Sequence, residues 1–190
     1  MRKQLTSRRI WLGIFLVALA AGIYLLLNIL APNYIPSNPV SAQEQLQKTT
    51  PATQENRLYI PTIGVNVAIV EGTSEAVLEK GAWHRQPQNG NPEKGGNFVL
   101  SAHRFQLGLT PQQTSAKSPF YHIEQLKAGD KISVDYGQKR YTYEVVKRYQ
   151  VDRFAVHIEA PSAIAKLTLY SCDLRGEAMG REVVEAKPLF

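Results

Sequence analysis

The chain has 190 residues, 44% of them hydrophobic, with 22 Lys and Arg against 16 Asp and Glu and a formal net charge of +6. Setting aside Arg2, Lys3, Arg8 and Arg9 leaves 18 basic against 16 acidic side chains, a mixed surface that argues against a nucleic-acid-binding protein. One cysteine, Cys172, excludes an intramolecular disulfide and the thiolate clusters of structural zinc.

Residues 10–30, IWLGIFLVALAAGIYLLLNIL, carry no charge. As a helix they would be about 31 Å long, close to the hydrocarbon thickness of a bilayer. The basic flank at residues 1–9 has no acid, so the positive-inside bias predicts a single-pass anchor with a cytoplasmic N-terminus and everything after it outside. Ala18-Leu19-Ala20 resembles a signal-peptide cleavage site, but the apolar run continues ten residues further, which favours a retained anchor. Residues 31–56 hold four prolines and no apolar period. They are expected to form an extended, weakly ordered tether.

From Arg57 the pattern changes to short β-branched runs. RLYIPTIG and VNVAIVEG read as strands interrupted at Pro61 and Gly64. SEAVLEKG predicts a short helix with Ser74 as N-cap and Gly81 just past its end. GGNFVLSAH predicts a strand with Phe98, Leu100 and Ala102 on one side and Val99, Ser101 and His103 on the other. A long loop over 104–117 and a helical turn in SPFYHIEQL follow. KISVDY and KRYTYEVVKRYQV flank Gly137 as a hairpin, and DRFAVHIEAPSA reads as a connection. AKLTLYSC and REVVEAKPL are the last two strands. Many short strands with few, brief helices predict an all-β domain over 57–190, a barrel or sandwich.

In KLTLYSC the two-residue period sets Leu167 and Leu169 on one face and Thr168, Tyr170 and Cys172 on the other. Cys172 ends its strand, where a rigid element can hold a reactive group beside an open loop. The bland alternative is a small buried hydrophobe, the usual fate of a free cysteine. If the last two strands form a hairpin, Cys172 and Arg181 meet across the ladder, and a guanidinium there could lower a thiol pKa or hold an oxyanion. Arg175 competes for that role, and Glu177 or Glu182 could occupy Arg181. His103 also ends a strand, and thiol chemistry needs a nearby base or acid. His84, His122 and His157, in loops or turns, read as solvated surface residues. No pair of histidines has metal-ligand spacing and no EF-hand loop is present, so no cofactor is expected, with a Ca²⁺ site on scattered glutamates left open.

Three segments together resemble the sortase family of cysteine transpeptidases. Thr168-Leu169-Tyr170-Ser171-Cys172 is similar to the family's Thr-Leu-X-Thr-Cys motif, REVVEAK places an arginine on the following strand, and GNFVLSAHR matches the family's histidine segment. The resemblance covers residues 57–190 and implies a closed eight-stranded β-barrel with Cys172, His103 and Arg181 at its rim. Thr168 and Ser171 would belong to the substrate-binding nucleophile strand. It further implies an endopeptidase and transpeptidase that cleaves a Leu-Pro-X-Thr-Gly-like sorting signal on surface proteins. The acyl group would pass through a thioester to an amine on a cell-wall precursor or pilin lysine. Ser171 stands where the motif has threonine, and the first aspartate is Asp130, so the tether lacks the Asp-Pro-aromatic lid of pilin-polymerising members. An L,D-transpeptidase is disfavoured because Tyr170-Ser171, and not His-Gly, precede the cysteine. A membrane-tethered peptide-binding barrel with an inert cysteine is the other alternative.

Overall fold

The β-branched runs become strands wherever a turn residue lets the chain reverse. The computed structural model describes residues 2–35, 42–48, 50 and 55–189. Its strands are β1 (Arg57–Ile60), β2 (Val65–Val70), β3 (Ala82–Arg85), the two-residue β4 (Gly90–Asn91), β5 (Gly95–Ser101), β6 (Lys131–Tyr136), β7 (Lys139–Val151), β8 (Lys166–Cys172) and β9 (Arg181–Leu189). Apart from β4, which only extends the start of β5, they run in the order β3-β2-β1-β6-β7-β9-β8-β5, and β3 pairs back onto β5. The result is the expected closed eight-stranded barrel, mixed because β2–β3 and β5–β8 are parallel. Closure leaves no exposed edge among these strands.

The expected hairpin forms with Tyr136 opposite Lys139, its two-residue turn taking positive φ at both Gly137 and Gln138. Period-two alternation fills the barrel. Leu58, Ile60, Phe98, Leu100, Val134, Leu167, Leu169 and Val184 are fully or almost fully buried in one cluster. A smaller cluster of Val99, Tyr170, Val183 and Ile158 lies on the opposite face of the same strands. The alternation read in GNFVLSAH and KLTLYSC is therefore the division between these two clusters.

Three expectations about helices change. The segment Glu75–Lys80 is a 3₁₀ turn, and Ser74 makes no side-chain cap. Its Gly81 is required for a different reason, since a Cβ there would come within 2.4 Å of the Ala68 carbonyl. The supposed loop at 104–117 contains α3 (Pro111–Ala116), capped by the Thr110 hydroxyl accepting from the Gln113 N–H at 3.2 Å. The expected tether is partly helical as well. The long N-terminal helix α1 (Arg2–Tyr34) continues past residue 30, and α2 (Ala42–Lys48) follows. The tether residues 36–41, 49 and 51–54 lie outside the described residues.

The helix α1 is long and apolar enough, by length and composition, to cross a membrane. One stripe at its C-terminal end packs on the barrel's α3 side, with Asn28 and Ala31 buried. Thr114 Oγ1 donates to Asn28 Oδ1 at 3.2 Å, and His122 Nε2 donates to the Pro32 carbonyl at 2.8 Å. Pro32 has no N–H to give the Asn28 carbonyl one turn earlier, and the ladder resumes beyond it with Ile35 N–H donating to the Ala31 carbonyl at 2.8 Å.

Candidate active site

Three neighbouring strands bring the sequence-selected residues to one rim. In the β5–β8 pair, parallel register sets Ser101 beside Tyr170, and Ala102 N–H donates to the Tyr170 carbonyl at 3.4 Å. Two residues further along the chain come Cys172, the last residue of β8, and His103, just past the end of β5. In the antiparallel β8–β9 pair Cys172 is directly opposite Arg181. Cys172 is half-buried and opens into a groove of about 400 Å³. His103, Arg181, Trp83, Phe154 and Tyr170 line the same groove. A second concavity of about 340 Å³, bordered by Gly95, Lys166 and Pro188, contains no nucleophile.

The loop between β8 and β9 holds this pair in register. Asp173 N–H donates to the Gly180 carbonyl at 3.0 Å, and a Cβ at Gly180, where φ is 113°, would meet the Val151 carbonyl at 2.4 Å. The loop also decides between the candidate arginines. Arg175 binds Asp173 through Nε at 2.9 Å and Nη2 at 3.0 Å, and these bonds hold the Asp173 carboxyl down at about 2. Arg181 is different. Its Nε donates to the Arg153 carbonyl at 3.2 Å and its guanidinium lies 5.2 Å from the Tyr170 ring centre. Among the described residues no carboxylate forms an ion pair with it, and Glu182 pairs with Arg148 instead. The Nη groups of Arg181 are thus the part left for a substrate oxygen.

Other charges around the groove are neutralised. Arg85 stacks 4.1 Å over Trp83 and binds Glu159, which also accepts from the Tyr170 hydroxyl. Burial works to raise the Glu159 pKa, but the bonds from Tyr170 and Arg85 outweigh it and hold the carboxyl below its ordinary range. Burial first, and Glu159 second, push the Tyr170 phenol upward.

Sequence reasoning missed one neighbour. Glu79, on the 3₁₀ turn, stands 3.7 Å from His103 Nε2 and 2.7 Å from Lys117 Nζ. The Lys117 hydrogen bond holds the Glu79 carboxyl below its ordinary value against a small burial effect, and the charges of Lys117 and His103 add to it. A contact made by a turn folding over a strand end has no periodic signature in sequence.

Thr168 and Ser171 take other places than substrate contact. Thr168 is fully buried with Oγ1 donating to Asn97 Oδ1 at 2.7 Å, and Ser171 Oγ donates to the Ala102 carbonyl at 2.8 Å. Neither lines the groove; both tie β8 to β5 and its extension. The remaining histidines separate as well. His157 is exposed as expected, whereas His84 lies buried in β3 between Glu71 and the Gly90 carbonyl, and His122 is bonded to α1. Burial of His84 follows from its strand, where alternation with Trp83 turns it inward onto Phe98 at 4.7 Å.

A closed mixed barrel with cysteine, histidine and arginine around one groove is the frame on which comparison with known proteins makes the assignment specific. The family model described as Sortase domain matches residues 58–189, and the chain belongs to the sortase family, whose members are cysteine transpeptidases. It is 33% identical to Sortase D of Bacillus subtilis (strain 168) over 96 residues, 50% of this chain and 42% of that protein. It is 27% identical to Sortase A of Listeria monocytogenes over 126 residues, 66% of this chain and 52% of that protein. The matched part spans about half or less of these curated relatives. Among solved structures, sortase A from Corynebacterium diphtheriae superposes with a TM-score of 0.60 at 25% identity, covering 72% of this chain and 60% of that one. Sortase E from Streptomyces avermitilis gives 0.58 at 25%, covering 71% and 87%.

Proposed function

We propose that this chain is a membrane-anchored transpeptidase acting on proteins that carry a Leu-Pro-X-Thr-Gly-like sorting signal. The observation that carries this reading is the single groove lined by His103, just past β5, with Cys172 and Arg181, which face each other across β8 and β9. The Cys172 thiolate attacks the threonine carbonyl carbon, and the carbonyl π electrons move onto oxygen. Arg181 Nη groups hold that oxyanion. As the tetrahedral adduct collapses, the threonine–glycine C–N bond breaks and the His103 imidazolium gives its proton to the leaving amine. The thioester stores the acyl group. An incoming amine on a cell-wall precursor or pilin lysine then attacks, loses a proton to the His103 imidazole and expels the thiolate. The cycle closes with both groups in their starting protonation states.

Glu79 acts on this cycle through His103, giving the imidazolium a carboxylate neighbour without touching the reacting atoms. Thr168 and Ser171 serve by fixing β8 against β5 and its extension, so that the thiol does not slide out of line. The basic flank and apolar α1 support a cytoplasmic N-terminus with the barrel on the outer face.

The test is incubation of the full chain in detergent micelles with a fluorogenic Leu-Pro-X-Thr-Gly peptide library and an amine acceptor. Amine-dependent cleavage is expected, together with a hydroxylamine-sensitive acyl adduct on the intact protein by mass spectrometry. Both should vanish in Cys172→Ala, and His103→Ala should lower the rate about 10²- to 10⁴-fold. Cleavage that persists in Cys172→Ala would sink the mechanism. Peptide binding with no adduct in the wild-type chain would identify a binding barrel with an inert cysteine.

A further inference from the structure

Beyond His103 the chain enters 105–116, FQLGLTPQQTSA, twelve positions without a charge between Arg104 and Lys117. Phe105, Leu107 and Leu109 there are exposed, Leu109 to 78%. Exposed apolar side chains are ordinary when scattered, but these three alternate along one loop beside the helix that would cross the bilayer.

The contacts fix how deep that loop would sit. The Tyr24 hydroxyl donates to the Leu109 carbonyl, Asn28 is bonded to Thr114, and the Ser115 hydroxyl donates to the Ile35 carbonyl. The stripe Tyr24, Asn28, Ala31, Ile35 therefore runs along the 105–116 segment. Below Tyr24, the helix has only residues 10–23 as unaccompanied apolar length, about 21 Å, whereas a hydrocarbon core is about 30 Å thick. Spanning it takes the helix to about residue 30. Leu109, level with Tyr24, is then about 9 Å below that point along the helix axis.

Backbone groups placed in lipid must be satisfied from within the protein. Side chains meet this demand for three N–H groups of the loop. Gln106 N–H donates to Ser118 Oγ at 3.0 Å, Gly108 N–H to Thr114 Oγ1 at 2.9 Å and Leu109 N–H to Gln113 Oε1 at 3.0 Å. The buried Asn28, a costly residue within an apolar span, donates to the Tyr24 carbonyl of its own helix and accepts from the Thr114 hydroxyl of this segment. Phe105 also stacks toward Tyr121 at 6.2 Å, and Tyr34 is exposed at the helix end, the amphipathic rings favoured at a membrane boundary.

We propose that the segment 105–110 is immersed in the outer leaflet of a lipid bilayer, with Phe105, Leu107 and Leu109 facing acyl chains. The barrel then sits on the membrane and is not held off it, and the groove rim that begins at His103 faces the lipid surface two residues away along the chain. This inference rests on the reading of α1 as a membrane anchor.

The experiment places a nitroxide at single introduced cysteines in the full-length Cys172→Ser chain, reconstituted in phosphatidylcholine–phosphatidylglycerol vesicles. The labelled positions are Leu109→Cys, Leu19→Cys in the middle of the span, and Ile164→Cys. Ile164 is an equally exposed apolar residue, 78%, at the opposite end of the parallel β5–β8 pair. Expected at Leu109 and Leu19 are strong collisions with oxygen and loss of relaxation by an aqueous nickel complex, with the reverse at Ile164. Full nickel contact at Leu109 with Leu19 in hydrocarbon would overturn the immersion and leave the anchor standing. Full nickel contact at Leu19 would overturn both.

Discussion

The groove rim and the seam between α1 and α3 are both lined with polar side chains, and they differ in how those groups are engaged. At the seam each polar atom has a set partner. His122 donates from Nε2 to Pro32 and accepts from Gln125 on Nδ1, which fixes one tautomer, and Thr114 at once accepts from Gly108 and donates to Asn28. At the rim, the His103 imidazole faces the Glu79 carboxylate at 3.7 Å, and Arg181 forms no ion pair with any described carboxylate. Saturated networks give rigidity, whereas a guanidinium with donors to spare can receive an oxyanion.

The largest expected break in this contrast separates two arginines six positions apart. Arg181→Ala should cost about 10²- to 10³-fold in kcat/KM for peptide cleavage, the scale of losing one oxyanion donor. Arg175→Ala should change it less than about twofold, since an exposed pair contributes little. The same variant releases Asp173 from about 2 toward the ordinary carboxyl range, which a carbon-detected NMR titration would read. Equal losses in the two variants would erase the distinction drawn from their partners.

At the seam the effect falls on stability. Thr114→Val leaves the Gly108 N–H and the Asn28 amide without their partner in a buried place, at about 1–3 kcal/mol. Hydrogen exchange at the Gly108 amide should accelerate correspondingly while exchange in β5 and β8 stays unchanged. Unchanged protection at Gly108 would show the seam to be less tightly satisfied than its geometry indicates.

The smallest expected effect is a shift in pH dependence at Glu79. Glu79→Gln removes the negative charge facing His103, so the imidazolium surrenders its proton at lower pH. The alkaline limb of the kcat/KM profile should move to lower pH, more at low salt than high. A profile that does not move at low salt would separate Glu79 from the reaction.

The sequence carried the rim well because alternation and strand ends are local properties. KLTLYSC assigned Cys172 to the face away from the core leucines, and pairing it with Arg181 needed only the hairpin. The seam was illegible. The six residues of α3, four of them polar, have no apolar period, and their reason for being helical is a partner about 80 residues earlier in the chain. Glu79 and the inward turn of His84 likewise depend on which element lies across from them. Thr168 and Ser171 were legible as part of the nucleophile strand but not in their direction, since buried hydroxyls bonded to Asn97 and Ala102 look the same in sequence as exposed ones.

The parallel pairing of β5 with β8 has a consequence for the newly made chain. Ser171 and the Ala102 carbonyl it binds are 69 positions apart, and β6 and β7 must be threaded between them before the two strands can meet. Contacts that distant form late, because the loop they close carries an entropy cost that earlier pairings do not. Until then Cys172 is an ordinary thiol with no histidine beside it. On the proposed mechanism, the reactivity of Cys172 therefore arises only with the closure of the barrel.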